Sequence, residues 1–164
     1  YIKELYDAGV VSGTSATTFS PAANVTRAQF VTMLAGLAGA DVSNCPATPF
    51  RDVPEGAWYA PYVNWALANG IVSGTSAVTF SPDASITRQD MAVMLYSYTQ
   101  RFQVHLQQQQ PVKPFTDAGS IAAYAQIAVQ TLQRAGVISG MPDGSFQPYG
   151  TATREQACTM LCML

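Results

Sequence analysis

A chain of 164 residues that is 48% hydrophobic and 11% charged is long enough and apolar enough to bury a shared core. Its formal charge of −2, from 8 Lys plus Arg against 10 Asp plus Glu, excludes the basic footprint of a nucleic-acid binder or of a protein held on anionic lipid. No uncharged stretch reaches the roughly 20 apolar residues of a bilayer span, so no membrane insertion is expected. Cys45, Cys158, Cys162 and the single histidine, His105, have neither disulfide-framework nor metal-ligand spacing, so no metal and no cofactor is expected.

The opening "YIKELYDAGV" has neither the basic n-region nor the apolar h-region of a secretion signal and reads as the start of a fragment or mature product. It is helical and stops at Gly9, where left-handed geometry favours glycine. "GVVSG" follows, with two β-branched residues to bury and a Ser-Gly turn, then a loop to Phe19-x-Pro21. Thr26 starts a helix with Gln29 at the position that closes a capping box, and Phe30, Met33, Leu34 and Leu37 form its apolar stripe.

After the joint 41–49, "FRDVPEGAWYAPYVNWALANG" opens with Phe50-x-Asp52, turns helical through Val63, Ala66 and Leu67, and stops at Gly70. "GIVSG", Phe80-x-Pro82 and Thr87 follow in the same order, leading into a helix striped by Met91, Met94, Leu95 and Tyr98. A joint at 102–114, with a glutamine run and a Pro-x-x-Pro, reads as an exposed connector. The third passage repeats the scheme from Phe115-x-Asp117 through a helix carrying Ile127, Val129 and Leu132, Gly136, "GVISG" and Phe146-x-Pro148 to Thr153 and a stripe of Ala157, Met160, Leu161 and Leu164.

The threonines are spaced 61 and then 66 residues apart, as are the glycines, the phenylalanines and the prolines, so the chain is a threefold repeat. Tyr1 aligns with Tyr62, so the first copy begins inside its first helix, without a Phe-x-Asp opening. Two short helices bury little alone, which predicts one composite domain over 1–164, with copies at 1–40, 50–101 and 115–164 and three equivalent striped helices around one axis. Cys158 and Cys162, one turn apart on the last helix, read as small buried hydrophobes.

"VTRAQ", "ITRQD" and "ATREQ" contain a residue the capping box does not explain. Arg27, Arg88 and Arg154 stand in the first helical turn, where the positive end of the helix dipole makes a cation unfavourable by about 0.3–1 kcal/mol. Recurrence at a disfavoured position predicts an anion beside each, held by the guanidinium and by free helix N–H groups. That anion is either internal, with Asp52 and Asp117 as the candidate partners, or a ligand's carboxylate.

Phe-x-Asp, an aromatic eight or nine residues on (Trp58, Tyr124), Gly-Val/Ile-Val/Ile-Ser-Gly, Phe-x-Pro and Thr-Arg-x-Gln/Asp together resemble the S-layer homology domain in three tandem copies. The resemblance covers nearly everything except the two joints. It implies an all-α, three-pronged spindle with a central bundle formed by the helices after the Thr-Arg phrases. It also implies non-covalent docking onto a wall-linked, peptidoglycan-attached secondary polysaccharide, often pyruvylated, at the bacterial cell surface, in grooves between copies and through the arginine that falls here on Arg27, Arg88 and Arg154. The fourth motif position, often glutamate in the family, is Gln29, Asp90 and Gln156 here.

Trp58 is the candidate sugar platform, and the turns at Gly13, Gly74 and Gly140 bring backbone close to a ligand. If each arginine faces the opening of the next copy, Arg27 meets Asp52 and Trp58, Arg88 meets Asp117 and Tyr124, and Arg154 lacks a complete neighbour; the Arg27 groove is then the best. Trp65, aligned with Glu4 and Thr131, is expected to face outward and, with the two joints, to mark contacts for homo-assembly into a surface layer or appendage, the alternative function. No nucleophile or general base recurs with a partner, so no catalytic residue is assigned.

Overall fold

Each Thr-Arg phrase starts a helix in the computed structural model, which describes residues 1–164. In chain order the helices are α1 (Ile2–Asp7), α2 (Arg27–Leu37), α3 (Ala60–Ala68), α4 (Arg88–Arg101), α5 (Gln126–Arg134) and α6 (Arg154–Cys162), with one-turn 3₁₀ segments at Ala118–Ser120 and Ala123–Ala125 leading into α5. The fold is all-α, as expected. Thr26 and Thr153 close full capping boxes with Gln29 and Gln156, whereas Thr87 caps Asp90 N–H without the returning bond. Gly9, Gly70 and Gly136 end α1, α3 and α5 at φ of 73°, 68° and 73°, where any other residue pays for a Cβ.

The helices pair in a ring: α2 lies against α3, α4 against α5, and α6 against α1, so the end of the chain packs on its beginning. The N-terminal ends of α2, α4 and α6 meet through three isolated β-bridges, Thr26 with Ser85, Thr87 with Thr151, and Asn24 with Thr153. Across each junction the first two helical N–H groups donate to the next repeat's backbone. Arg27 and Ala28 bond Ala84 and Pro82, Arg88 and Gln89 bond Gly150 and Pro148, and Arg154 and Glu155 bond Ala23 and Pro21, all within 2.8–3.0 Å. With the third N–H held by threonine, the helix starts are saturated, which removes the free N–H groups expected to receive an anion.

A single core joins the three copies. Met33, Met94 and Met160 with Leu34, Leu95 and Leu161 are buried in it beside Leu5, Val63 and Leu132. Each such leucine contributes roughly 1.5–3 kcal/mol by leaving water. Ile127 departs from the expected stripe: it is 67% exposed, and α5 turns Ala128, Val129 and Leu132 inward instead.

Trp65 also departs from expectation. It is 5% exposed and stacks on Phe102 at 6.2 Å between centroids, with Phe102 in turn 4.8 Å from Tyr98. The joint after α4 therefore folds back over α3 and covers the indole. Val104 and Leu106 are half-buried against the core, and the Gln109 and Gln110 N–H groups donate to the Arg134 carbonyl at the end of α5, so the glutamine run is exposed yet fastened. Cys158 is buried and Cys162 half-buried, and burial raises both thiol pKa values.

Candidate ligand-binding grooves between repeats

The Phe-x-Asp opening is a clamp for the Phe-x-Pro loop of its own copy. The Asp52 carboxylate accepts from Phe80 and Ser81 N–H, each at 2.8 Å, and Asp117 accepts from Phe146 and Gln147 N–H at the same distances. The clamped Ser81 and Gln147 are left-handed, at φ of 58° and 57°, which non-glycine residues adopt rarely, and Ser20 takes the same conformation at 56° in the copy without a clamp. The glycines of the Ser-Gly turns have a steric task in the same loops. A Cβ on Gly13 would lie 2.5 Å from the Ser15 carbonyl oxygen, and one on Gly140 would lie 2.7 Å from the Phe115 ring.

The loop so held offers a ring and a carbonyl to the arginine of the preceding copy. Arg27 stacks over Phe80 at 4.8 Å and its Nε donates to the Phe80 carbonyl at 2.8 Å; Arg88 treats Phe146 the same way at 5.0 and 2.8 Å, and Arg154 treats Phe19 at 4.4 and 2.9 Å. Cation-π contact and a charge-assisted bond outweigh the modest dipole penalty of a cation at a helix start. The three arginines are only 5, 4 and 6% exposed. They staple adjacent copies together before any ligand is considered.

Each guanidinium nevertheless keeps one edge open. Arg88 and Arg154 use Nη2 on the Ser139 and Ser12 carbonyls, at 3.3 and 2.6 Å, and leave Nη1 without a protein partner. Arg27 uses Nη1 on Asp90 Oδ2, at 3.0 Å, and leaves Nη2. The only buried side-chain polar atom lacking a partner is Thr48 Oγ1, so these nitrogens reach solvent. Burial lowers all three guanidinium pKa values; Asp90, Tyr124 and Asp52 counter it at Arg27, Asp117 at Arg88, and no carboxylate at Arg154.

Residues 1–31, 49–92 and 114–158 each match the S-layer homology domain. The chain belongs to this family. It is 38% identical over its whole length to an endoglucanase of Bacillus sp. (strain KSM-635), spanning 17% of that protein. Over 147 residues, 87% of this chain and 32% of the relative, it is 29% identical to a cellulosome-anchoring protein of Acetivibrio thermocellus. The surface-layer 125 kDa protein of Lysinibacillus sphaericus is 29% identical over 143 residues, 85% of this chain and 11% of that one. The chain thus spans a third or less of the length of these relatives.

Among the S-layer homology repeats, the Arg27 and Arg154 grooves each draw on three copies rather than two. The Arg27 groove, about 320 Å³, is lined by Ser73, Gly74 and Asp90 of the second copy and by Tyr124 of the third. The Arg154 groove, about 70 Å³, is lined by Ser12 and Gln29 of the first copy and by Trp58 of the second. The expected pairing of Arg27 with Trp58 and of Arg88 with Tyr124 is therefore corrected. The cause is the packing of α3 on α2 and of α5 on α4, which carries each opening aromatic onto the flank of the preceding copy's second helix. The Arg154 groove has its turn from the first copy and its aromatic from the second, which corrects the expectation that Arg154 lacks a complete neighbour. Asp52 and Asp117 make no direct ion pair with an arginine, and the carboxylate that does is Asp90.

Trp58 is 58% exposed, edge-on to Tyr59 at 5.5 Å, which suits a platform. Tyr124 is 63% exposed, while its hydroxyl turns inward and donates to Asp90 Oδ1 at 2.6 Å. Burial of the hydroxyl and this bond to a carboxylate push the phenol up to about 12.

Proposed function

We propose that this chain is a non-covalent anchor that holds a bacterial surface protein to an anionic, pyruvylated secondary cell-wall polysaccharide, without turnover. The observation that carries the reading is a buried guanidinium at two repeat junctions, Arg27 and Arg154, each with one nitrogen reaching solvent in a cleft walled by an exposed aromatic. That is the equipment for a carboxylate on a sugar ring: a charge-assisted bond to the acid and a flat apolar face for the pyranose. The names of the relatives, a cellulosome-anchoring protein and a surface-layer protein, support a place in the cell wall. Of the contacts expected for lattice assembly, Trp65 is withdrawn, because Phe102 covers it.

Replacing the arginines is an ambiguous test, since each also joins two repeats. The decisive change is on the ligand. Calorimetry of the protein with pyruvylated wall polysaccharide, and with the same polymer after mild-acid removal of the ketals, is expected to show binding only to the first. Equal binding to both polymers would refute the carboxylate reading.

A further inference from the structure

We infer that the Arg27 groove is plugged by the protein's own Asp90, so that within residues 1–164 a pyruvyl-type carboxylate is held in the Arg154 groove, on Trp58, and not in the larger groove beside Tyr124. This deepens the function proposed above and rests on it.

The two grooves differ at the third helical residue. Gln29 and Gln156 turn back along their own helices, and their Oε1 atoms accept from Thr26 and Thr153 N–H at 3.0 Å each. Asp90 is one methylene shorter and does not close that box. Its carboxylate instead spans the groove, one oxygen on Arg27 Nη1 and the other on the Tyr124 hydroxyl. A carboxylate already on the guanidinium neutralises the cation, repels a second anion and ties the aromatic wall to the floor.

No acidic residue lines the Arg154 groove; its other walls are Val10, Val11, Thr32 and Met33. Arg154 spends its bonds on the Phe19 and Ser12 carbonyls, which carry no net charge, and Nη1 stays open. A slot of about 70 Å³ admits a carboxylate but not a sugar, which leaves the ring to lie outside on the exposed indole. The larger volume beside Arg27 is therefore no guide to where the anion goes.

The test is a titration of the 164-residue protein with the methyl glycoside of a pyruvyl-ketal hexose, by calorimetry and tryptophan fluorescence. Asp90→Gln copies the residue of the first and third repeats, so it trades an ion pair for a capping bond and is built to fold. Wild type is expected to bind one equivalent, reported by Trp58, and Asp90→Gln two, the second silent in tryptophan fluorescence. Trp58→Ala is expected to weaken the wild-type site about tenfold, with circular dichroism unchanged. One equivalent in both wild type and Asp90→Gln, or a wild-type site indifferent to Trp58→Ala, would overturn the assignment while leaving the ligand class standing. Absence of binding in every variant would overturn the ligand class and this assignment together.

Discussion

The Arg27 and Arg154 grooves are built on one plan and differ at the third helical residue beside each cation, an aspartate in one and a glutamine in the other. In both, an arginine at the first position of a helix stacks on a phenylalanine of the next repeat and bonds that residue's carbonyl. In both, an aromatic from a third copy forms the outer wall. A glutamine at the third helical position is long enough to cap its own helix and leaves the neighbouring cation alone; an aspartate is not, and finds the cation instead. Side-chain reach and charge together decide whether a motif residue serves the helix or the groove.

The strongest way to probe the shared plan is to remove the floor. Phe80 is fully buried under Arg27 and packs 5.8 Å from Phe50, whereas Phe19 under Arg154 is half-buried with no such ring beneath it. Phe80→Ala is expected to lower unfolding free energy by about 3–5 kcal/mol, and Phe19→Ala by clearly less, in urea denaturation followed by circular dichroism. Equal losses would mean that the two floors carry the same load and that Phe50 adds nothing.

Next in size is the clamp. Asp52→Ala strips two backbone N–H groups of a charged acceptor, for an expected loss of about 2–3 kcal/mol. The disturbance should stay at the Arg27 junction. Backbone amide exchange around Phe80 and Ser81 is expected to quicken while the amides of the Phe19 loop keep their wild-type rates. Quickening in both loops would show that the junctions open as one unit.

Much of this plan was legible in the sequence because it is local and repeated. The threonine caps, the helix-ending glycines and the buried stripes follow from spacing alone, and three copies fix the alignment. What local spacing does not carry is which copy covers which. Glu4 and Thr131, the equivalents of Trp65 in the other copies, point it outward, but Phe102, which covers it, lies at the start of a joint that the alignment does not match between copies. The aromatics were paired with the arginine of the copy immediately before, whereas helix packing carries each onto a groove whose arginine lies a further copy back around the ring. Asp90 was visible as a departure from glutamine, and its consequence required knowing that Arg27 lies within reach.

Lengthening Asp90 turns one groove into the other. Asp90→Glu adds the missing methylene, which allows the third helical side chain to return to Thr87 N–H as Gln29 and Gln156 do for their threonines. Gain of a cap and loss of a partly exposed ion pair nearly cancel, so stability is expected to stay within about 1 kcal/mol of wild type. A larger loss would show that the Asp90 bridge to Arg27 and Tyr124 is itself a principal joint between the copies.

The smallest effect is spectroscopic and isolates the aspartate's hold on the outer wall. The Tyr124 phenol is raised to about 12, by burial of its hydroxyl and by the bond it donates to Asp90. A folded-state pKa above the unfolded value of roughly 10 means that the protonated hydroxyl is the stabilised form. Its contribution is complete below about pH 10 and fades as pH rises through 12. Phenolate absorbance should therefore show one tyrosine leaving the late-titrating group for the ordinary one when Asp90→Asn replaces the carboxylate, because a neutral amide no longer penalises the phenolate beside it. The same substitution leaves the Arg154 groove without a titrating partner to change, so fluorescence of Trp58 should follow one pH curve in wild type and variant. If Tyr124 titrates alike in both proteins, its hydroxyl is not on Asp90, and the bridge that distinguishes the two grooves is absent in solution.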